Sequence, residues 1–167
     1  MGKIDFFGAI PAGRRNKLLP DTLTEYWLRH LGWIIDQCSR KTGRITRDLF
    51  GFGDQYAFGF SQHLIVQSTS YSNIASRRKK VIENTVAFEW KKFSICNRIF
   101  IIGWKGLHTP DPFPMVEEIL YDKGTMFSVR LRDFDRCKPA LFKWDPEGHF
   151  TVPSPAHEEI MLEKSAS

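Results

Sequence analysis

The sequence predicts one α/β domain in which helices flank a central mixed β-sheet. Three observations carry this. The apolar spacing alternates between helical and strand periods in the order helix, strand, strand, strand, helix, strand, followed by edge elements. A helix between the third and fourth strands suggests a parallel pair there, while a short loop joins the second and third strands as a hairpin. The 167 residues, 42% hydrophobic and 26% charged, make an ordinary globular mix, long enough to bury one core.

Residues 1–20 are rich in Gly, Pro and Arg and read as an irregular basic arm. Asp21 and Thr22 are candidate helix N-caps. Leu23, Tyr26, Trp27, Leu28 and Leu31 recur at near-helical spacing, and Gly32 suits the C′ position, which places a helix over 22–31. Residues 33–37 read as a first strand, and 39–46, polar with Gly43 inside, as a loop or hairpin turn. Residues 52–60 and 63–69 form an antiparallel hairpin whose second strand is apolar enough at its centre to be buried. Ser70, Ser72 and Asn73 can each cap a helix. Ile74, Val81, Ile82, Thr85 and Phe88 then mark one face of a single long amphipathic helix, from 73 to about 92. Residues 98–104 are the fourth strand. Three prolines make 108–114 a loop. Residues 115–121 and 126–131 are two further strands, turning at Asp122-Lys123-Gly124. Beyond Asp133 the pattern weakens. The domain is therefore taken as 21–133, and 134–167 as an extension that packs on the core or is partly flexible.

Several function classes are disfavoured. No apolar run approaches the ~18 residues of a membrane span. The N-terminus lacks the apolar run of a signal peptide, and Phe6 stands where a myristoylation signal needs Ser or Thr. Cys38, Cys96 and Cys137 are odd in number and lack C-x-x-C spacing, which fits a reducing, cytoplasmic compartment. The five histidines show no metal spacing, and no G-x-S-x-G, P-loop or G-x-G-x-x-G occurs. A formal net charge of +5 suits a polyanionic partner, and equally a solvated basic surface. Trp90, Trp104, Trp144 and Phe150 can stack on bases, although such rings more often pack cores or edges.

The residues able to carry chemistry follow the same order. Glu25 lies on the first helix, Asp54 closes Gly51-Phe52-Gly53-Asp54 at the second strand, and Gln67-Ser68-Thr69 ends the third strand before a helix. This arrangement resembles the core of the PD-(D/E)XK nucleases, in particular the Holliday-junction-resolvase and VRR-type branches, over roughly residues 22–104. Those enzymes place a Glu on the first helix, an Asp at the second strand and Glu-x-Lys on the third. The stretch 47–70 is also similar to a set of often viral proteins related to that superfamily. The resemblance implies a restriction-endonuclease-like core and a metal-dependent endonuclease acting on DNA, including branched DNA. It also implies Mg²⁺ or Mn²⁺ as cofactor, a homodimer, and the host cytoplasm for a viral member. It makes Asp54, Gln67 and Glu25 the metal ligands and gives Thr69 a water to orient.

Both strand-three positions depart from the pattern. Gln67 offers a neutral amide oxygen in place of a carboxylate, and Thr69 brings a hydroxyl in place of a lysine cation. A hard cation prefers charged oxygen ligands, so binding weakens. Residues 67 and 69 still share one face of the strand. Glu25 can restore a second carboxylate, and Arg77, Arg78, Lys79 and Lys80 on the next helix can supply a cation and hold phosphates. Arg47, Arg44 and the arm residues Arg14, Arg15 and Lys17 would extend that basic surface. Each feature has a plain structural alternative. Asp54 and Asp48 suit turn or cap positions, Gln67 a satisfied core polar group, Thr69 an ordinary strand, Glu25 an exposed helix face and the basic run a solvated one. At the level of function the alternatives are a nuclease fold that binds nucleic acid without cleaving it, or a protein-interaction module.

Overall fold

The computed structural model of the protein describes residues 18–36, 40–42, 45–140, 143–144 and 150–151. The basic arm up to residue 17 and most of the extension beyond 140 lie outside the described residues.

Helix α1 spans Pro20–His30, two residues earlier than the apolar spacing predicts. Leu19 is its N-cap and Pro20 its first residue, a position where the fixed ring and missing N–H cost nothing. Asp21 is therefore inside the first turn rather than capping it. Gly32, at φ +99°, ends the helix as expected. Strands β1 (Ile34–Asp36), β4 (Gln55–Gly59) and β5 (Gln62–Ser70) form an antiparallel meander, with β2 (Arg40–Thr42) and β3 (Ile45–Arg47) as a separate hairpin. Helices α2 (Ile74–Ile82) and α3 (Thr85–Phe93) cross over to β6 (Asn97–Lys105), which pairs parallel with β5. Strands β7 (Phe113–Asp122) and β8 (Thr125–Leu131) extend the sheet antiparallel. The result is a six-stranded mixed sheet in the order β1-β4-β5-β6-β7-β8, with its parallel pair where the helical crossover requires it. Two short strands, β9 (Lys143–Trp144) and β10 (Phe150–Thr151), pair with each other.

Two cores lie on opposite faces of this sheet. Leu23, Trp27 and Leu28 of α1 pack on Leu64, Val66, Phe100, Ile102 and Trp104. Ile74, Val81 and Ala87 of α2 and α3 pack on Ile65, Ile99 and Ile101. Central strands covered on both sides need apolar residues at consecutive positions, which accounts for the runs at 64–66 and 99–102.

The single helix expected over 73–92 is two helices. Asn84 leaves the helical region at φ −86°, ψ 121°, and its Oδ1 accepts the Ala87 N–H at 2.9 Å, so it caps α3 and ends α2. The strand expected from 52 starts at Gln55, because 48–53 fold into a tight loop. Residues 134–140 pack on the α1 core. Cys137 is buried there, its carbonyl accepts the Trp33 indole N–H at 2.7 Å, and the Phe134 ring meets Trp27 edge-on.

Candidate functional site

The loop before β4 fixes Asp54. Leu49 and Gly53 exchange backbone hydrogen bonds of 2.6 and 2.9 Å across it. Phe50 and Gly51 turn it through the left-handed region, at φ 53° and 79°. Gly53 runs so close to β5 that a Cβ would overlap the Ile65 side chain. The chain then joins the sheet, and the Asp54 N–H donates to Val66 O at 2.8 Å.

The Asp54 carboxylate faces the end of β5. Its Oδ2 accepts the Ser68 N–H at 2.8 Å and an N–H of the Gln67 amide. Burial pushes the Asp54 carboxyl up to about 6, against 3.8 for a free side chain. The charges of Asp21 and Asp48 push the same way, while the Ser68 N–H and Arg77 pull back. The Asp21 carboxyl is raised as well, first by burial and then by Asp48, against Arg77 and a hydrogen bond from the Ser68 hydroxyl.

Asp21 is the acidic residue that α1 brings to this site. Its backbone carbonyl also accepts from Gln55 Nε2 at 2.7 Å, tying the helix start to β4. The Ser68 and Thr24 hydroxyls lie 2.7 Å apart, and the Trp104 indole N–H donates to Thr24 Oγ1 at 2.9 Å. Donation from Trp104 to Thr24 to Ser68 to Asp21 satisfies every group in this buried chain. Trp104 is thereby committed to the core rather than to stacking.

The other expected site residues fall as follows. Gln67 is buried against Asp54, and its Oε1 has no hydrogen-bond partner among the described residues. Thr69 is buried on the same face, opposite Gly103 in the parallel ladder. Glu25 pairs with Arg29 one turn along α1, at 3.0 Å, and is not among the charges that act on Asp54. Four successive helix residues point in four directions, and the basic run divides accordingly. Arg77 acts on Asp21 and Asp54. Arg78 makes a two-pronged pair with Glu117, at 2.7 and 2.6 Å. Lys80 binds Asp48, and Lys79, the most exposed, lies 3.9 Å from Glu83. The run is thus largely spent on the chain's own carboxylates. Arg47 belongs to β3 by its backbone, its side chain lying outside the described residues, as do Arg14, Arg15, Lys17 and Arg44.

Among the described residues, no three His, Cys, Asp or Glu side chains gather as a metal-holding group. Asp54 and Asp21 nonetheless supply two hard carboxylate donors, while the Gln67 amide turns its N–H, not its oxygen, to Asp54. Mg²⁺ is commonly held by one or two carboxylates with water completing its shell, so the residues present fit such an ion. Neither described cysteine is a nucleophile in waiting here: Cys137 is buried, with its thiol pushed up to about 12, and Cys96 is a free thiol elsewhere.

A row of rings extends from the site. Residues 54, 56 and 58 alternate onto one face of β4. Phe58, Tyr56, His63, Trp90 and Phe50 follow one another at centroid separations of 6.4, 6.1, 6.3 and 6.4 Å. Phe58 and Phe50 at its two ends are exposed. The sequence signal for this row was the period-two placement of aromatics on β4, which only the register with β5 and α3 joins into a line.

Among the described residues no helix is long and apolar enough to cross a membrane. No protein-family model, no curated protein and no solved structure matches the chain.

Proposed function

We propose that this protein is a restriction-endonuclease-like, divalent-metal-dependent nuclease acting on DNA, with Asp54 at the centre of its site. One observation carries the reading. A half-buried carboxylate is held at the junction of β4 and β5, at a cost in solvation, beside a second carboxylate, the Gln67 amide and an arginine. The order of helix acid, strand aspartate, strand-three amide and helix cation parallels that of the PD-(D/E)XK motif. Asp21 takes the helix position in place of Glu25, and Arg77 supplies the cation that Thr69 lacks.

Asp54 and Asp21 would hold Mg²⁺ or Mn²⁺, joined by Gln67 Oε1 once its amide turns over, and the ion would polarise a phosphate and acidify a bound water. The chain's own residues do the rest. The Ser68 N–H fixes the Asp54 carboxylate, Arg77 offsets negative charge that builds on a phosphate, and the ring row offers base-stacking faces beside the site. A homodimer, placing two such sites on a symmetric junction, follows from the same reading.

A second reading has its own support. The Gln67 amide presents N–H rather than oxygen to Asp54, and Lys80 is bound to Asp48. Such a site suits a nuclease fold that binds DNA without cutting it. The deciding experiment is a cleavage assay of wild type and Asp54→Asn on linear, flapped and four-way-junction DNA, with Mg²⁺ or Mn²⁺. Cleavage by wild type alone supports the nuclease. Binding by both with cleavage by neither leaves the non-hydrolytic reading. Absence of salt-sensitive DNA binding removes both.

A further inference from the structure

At the other end of the central strands lies a pocket that the Asp54 site does not use. It has a volume of about 210 Å³ and is lined by Lys91 and Lys92 of α3, Gln62 at the start of β5, Arg98 of β6, and Glu118 and Tyr121 of β7. Lys91 and Arg98 are both buried, at 8% and 3% exposure. Arg98 holds Glu118 through two hydrogen bonds of 2.8 and 3.0 Å, and also donates to the Arg136 and Lys138 carbonyls. Both Glu118 oxygens are thereby committed.

Lys91 is different. Its ammonium donates to the Asn97 carbonyl at 2.6 Å and, among the described residues, contacts no carboxylate. An ammonium carries three N–H donors, so two remain to face the pocket. Arg98 has five, of which four are used. Among the described residues, three cations line the pocket against one carboxylate. A buried cation without an anionic partner is costly, and the Lys91 ammonium is accordingly pulled down to about 8 by burial, with Arg98 adding to the effect and Glu118 opposing it. That leaves it mostly charged at neutral pH. The volume is below the ~300–1,000 Å³ of sites for drug-sized ligands, so the missing partner is small.

We infer that this pocket binds a phosphate-class oxyanion, with Lys91 as its charged anchor and the spare Arg98 N–H as a second donor. The oxyanion is either free phosphate or a phosphate at the end of a nucleic-acid strand. The inference is independent of the Asp54 chemistry: from Gln62 to Gln67 the strand advances about 17 Å at ~3.3 Å per residue.

The test uses the full chain at pH 7 and fixed ionic strength, titrated with inorganic phosphate, a 5′-phosphorylated oligonucleotide and the same oligonucleotide without the phosphate. Wild type should bind at least one phosphate ligand saturably, and Lys91→Gln at least tenfold more weakly. Gln keeps a donor for the Asn97 carbonyl. In parallel, acetylation of each lysine in wild type is followed by mass spectrometry, which needs no variant to fold. Bound phosphate should protect Lys91 at least fivefold and leave Lys79 unchanged. Preference for the phosphorylated oligonucleotide over its unphosphorylated twin assigns a strand end; binding of inorganic phosphate alone assigns the free ion. No saturable binding, equal affinity in Lys91→Gln, or unchanged Lys91 reactivity overturns the inference. Asp54→Asn should bind phosphate as wild type does, so loss of cleavage and loss of this pocket are separable.

Discussion

Replacing Asp54 by Asn should make the metal-free protein more stable at neutral pH. The folded carboxyl keeps its proton up to about 6, while the unfolded chain releases it near 3.8. Below 3.8 both states hold the proton. As pH rises from 3.8 to about 6, the folded state loses stability relative to the unfolded chain, and above 6 the full cost is present. That interval corresponds to about 3 kcal/mol. Solvent on the open side of the carboxyl screens part of it, leaving about 1–2 kcal/mol. In Asp54→Asn the amide oxygen can still accept the Ser68 and Gln67 N–H groups, so the hydrogen bonds survive while the desolvated charge is gone. For a domain of this size the gain is a rise in Tm of about 3–6 °C at pH 7.5. Thermal unfolding by circular dichroism, run from pH 4 to 8 with and without Mg²⁺ or Mn²⁺, measures it. Wild type should lose stability relative to the variant between pH 4 and 6.5. Added metal should restore wild type at pH 7.5, do little at pH 4.5, and leave the variant unmoved at both. A variant less stable than wild type at pH 7.5 would refute the reasoning, because it would make Asp54 a net structural asset.

Four more outcomes follow from the same geometry. Arg77→Ala should raise the Asp54 pKa further, read from NMR titration, and lower any cleavage by roughly 10²-fold; Lys79→Ala, at an exposed position, should change stability by less than about 0.5 kcal/mol. Stability measured in urea should rise by about 1 kcal/mol between about pH 8 and 9, as Lys91 sheds its proton in the folded state before the unfolded chain does at 10.5. Cys137, whose thiol is pushed from 9.0 up to about 12, acts in the opposite sense above pH 9, so the net rise belongs to about pH 8–9 and should vanish in Lys91→Gln. Thr24→Val should cost about 1–3 kcal/mol in urea unfolding, because it removes the acceptor of the Trp104 indole N–H and the hydroxyl that donates to Ser68 Oγ inside the core.

The sheet was legible because its strands announce themselves locally. Apolar runs at 64–66 and 99–102 can only be central strands, and the intervening helical pattern sets their parallel pairing. The break at Asn84 was not legible, since Ile82, Thr85 and Phe88 keep the helical spacing across it. What ends the helix is a side-chain cap, reinforced by an Asn84 amide contact to the Phe50 carbonyl in a loop 34 residues away. Asp54 was legible from the glycines that precede it. Asp21 was not, because an Asp at a helix start reads as a cap until Pro20 takes the first position. The pairing of Arg78 with Glu117 and of Lys80 with Asp48 is long-range, so the run at 77–80 looked freer than it is. Arg98 and Glu118, charges inside apolar strands, were the overlooked signal for a buried pair.

Two groups are held in forms that burial disfavours, Asp54 near one end of β5 and Lys91 near the other. Neutral side chains of similar shape would satisfy the same hydrogen bonds with less solvation lost, as mutational replacement of buried charges commonly shows. The fold's own needs therefore do not account for either charge. Thr24, Ser68 and Trp104 mark the contrast: they are buried, polar and mutually satisfied, and they explain themselves as structure. Asp54 and Lys91 differ in that hydrogen-bonding capacity is left unused at each, the orphaned Gln67 oxygen on the neighbour of the first and spare N–H donors on the second. The unused groups are acceptors at the first site and donors at the second. On the proposed readings a cation would answer the first and an anion the second, and a phosphate ester coordinated to a divalent metal would bring both charges in one substrate class.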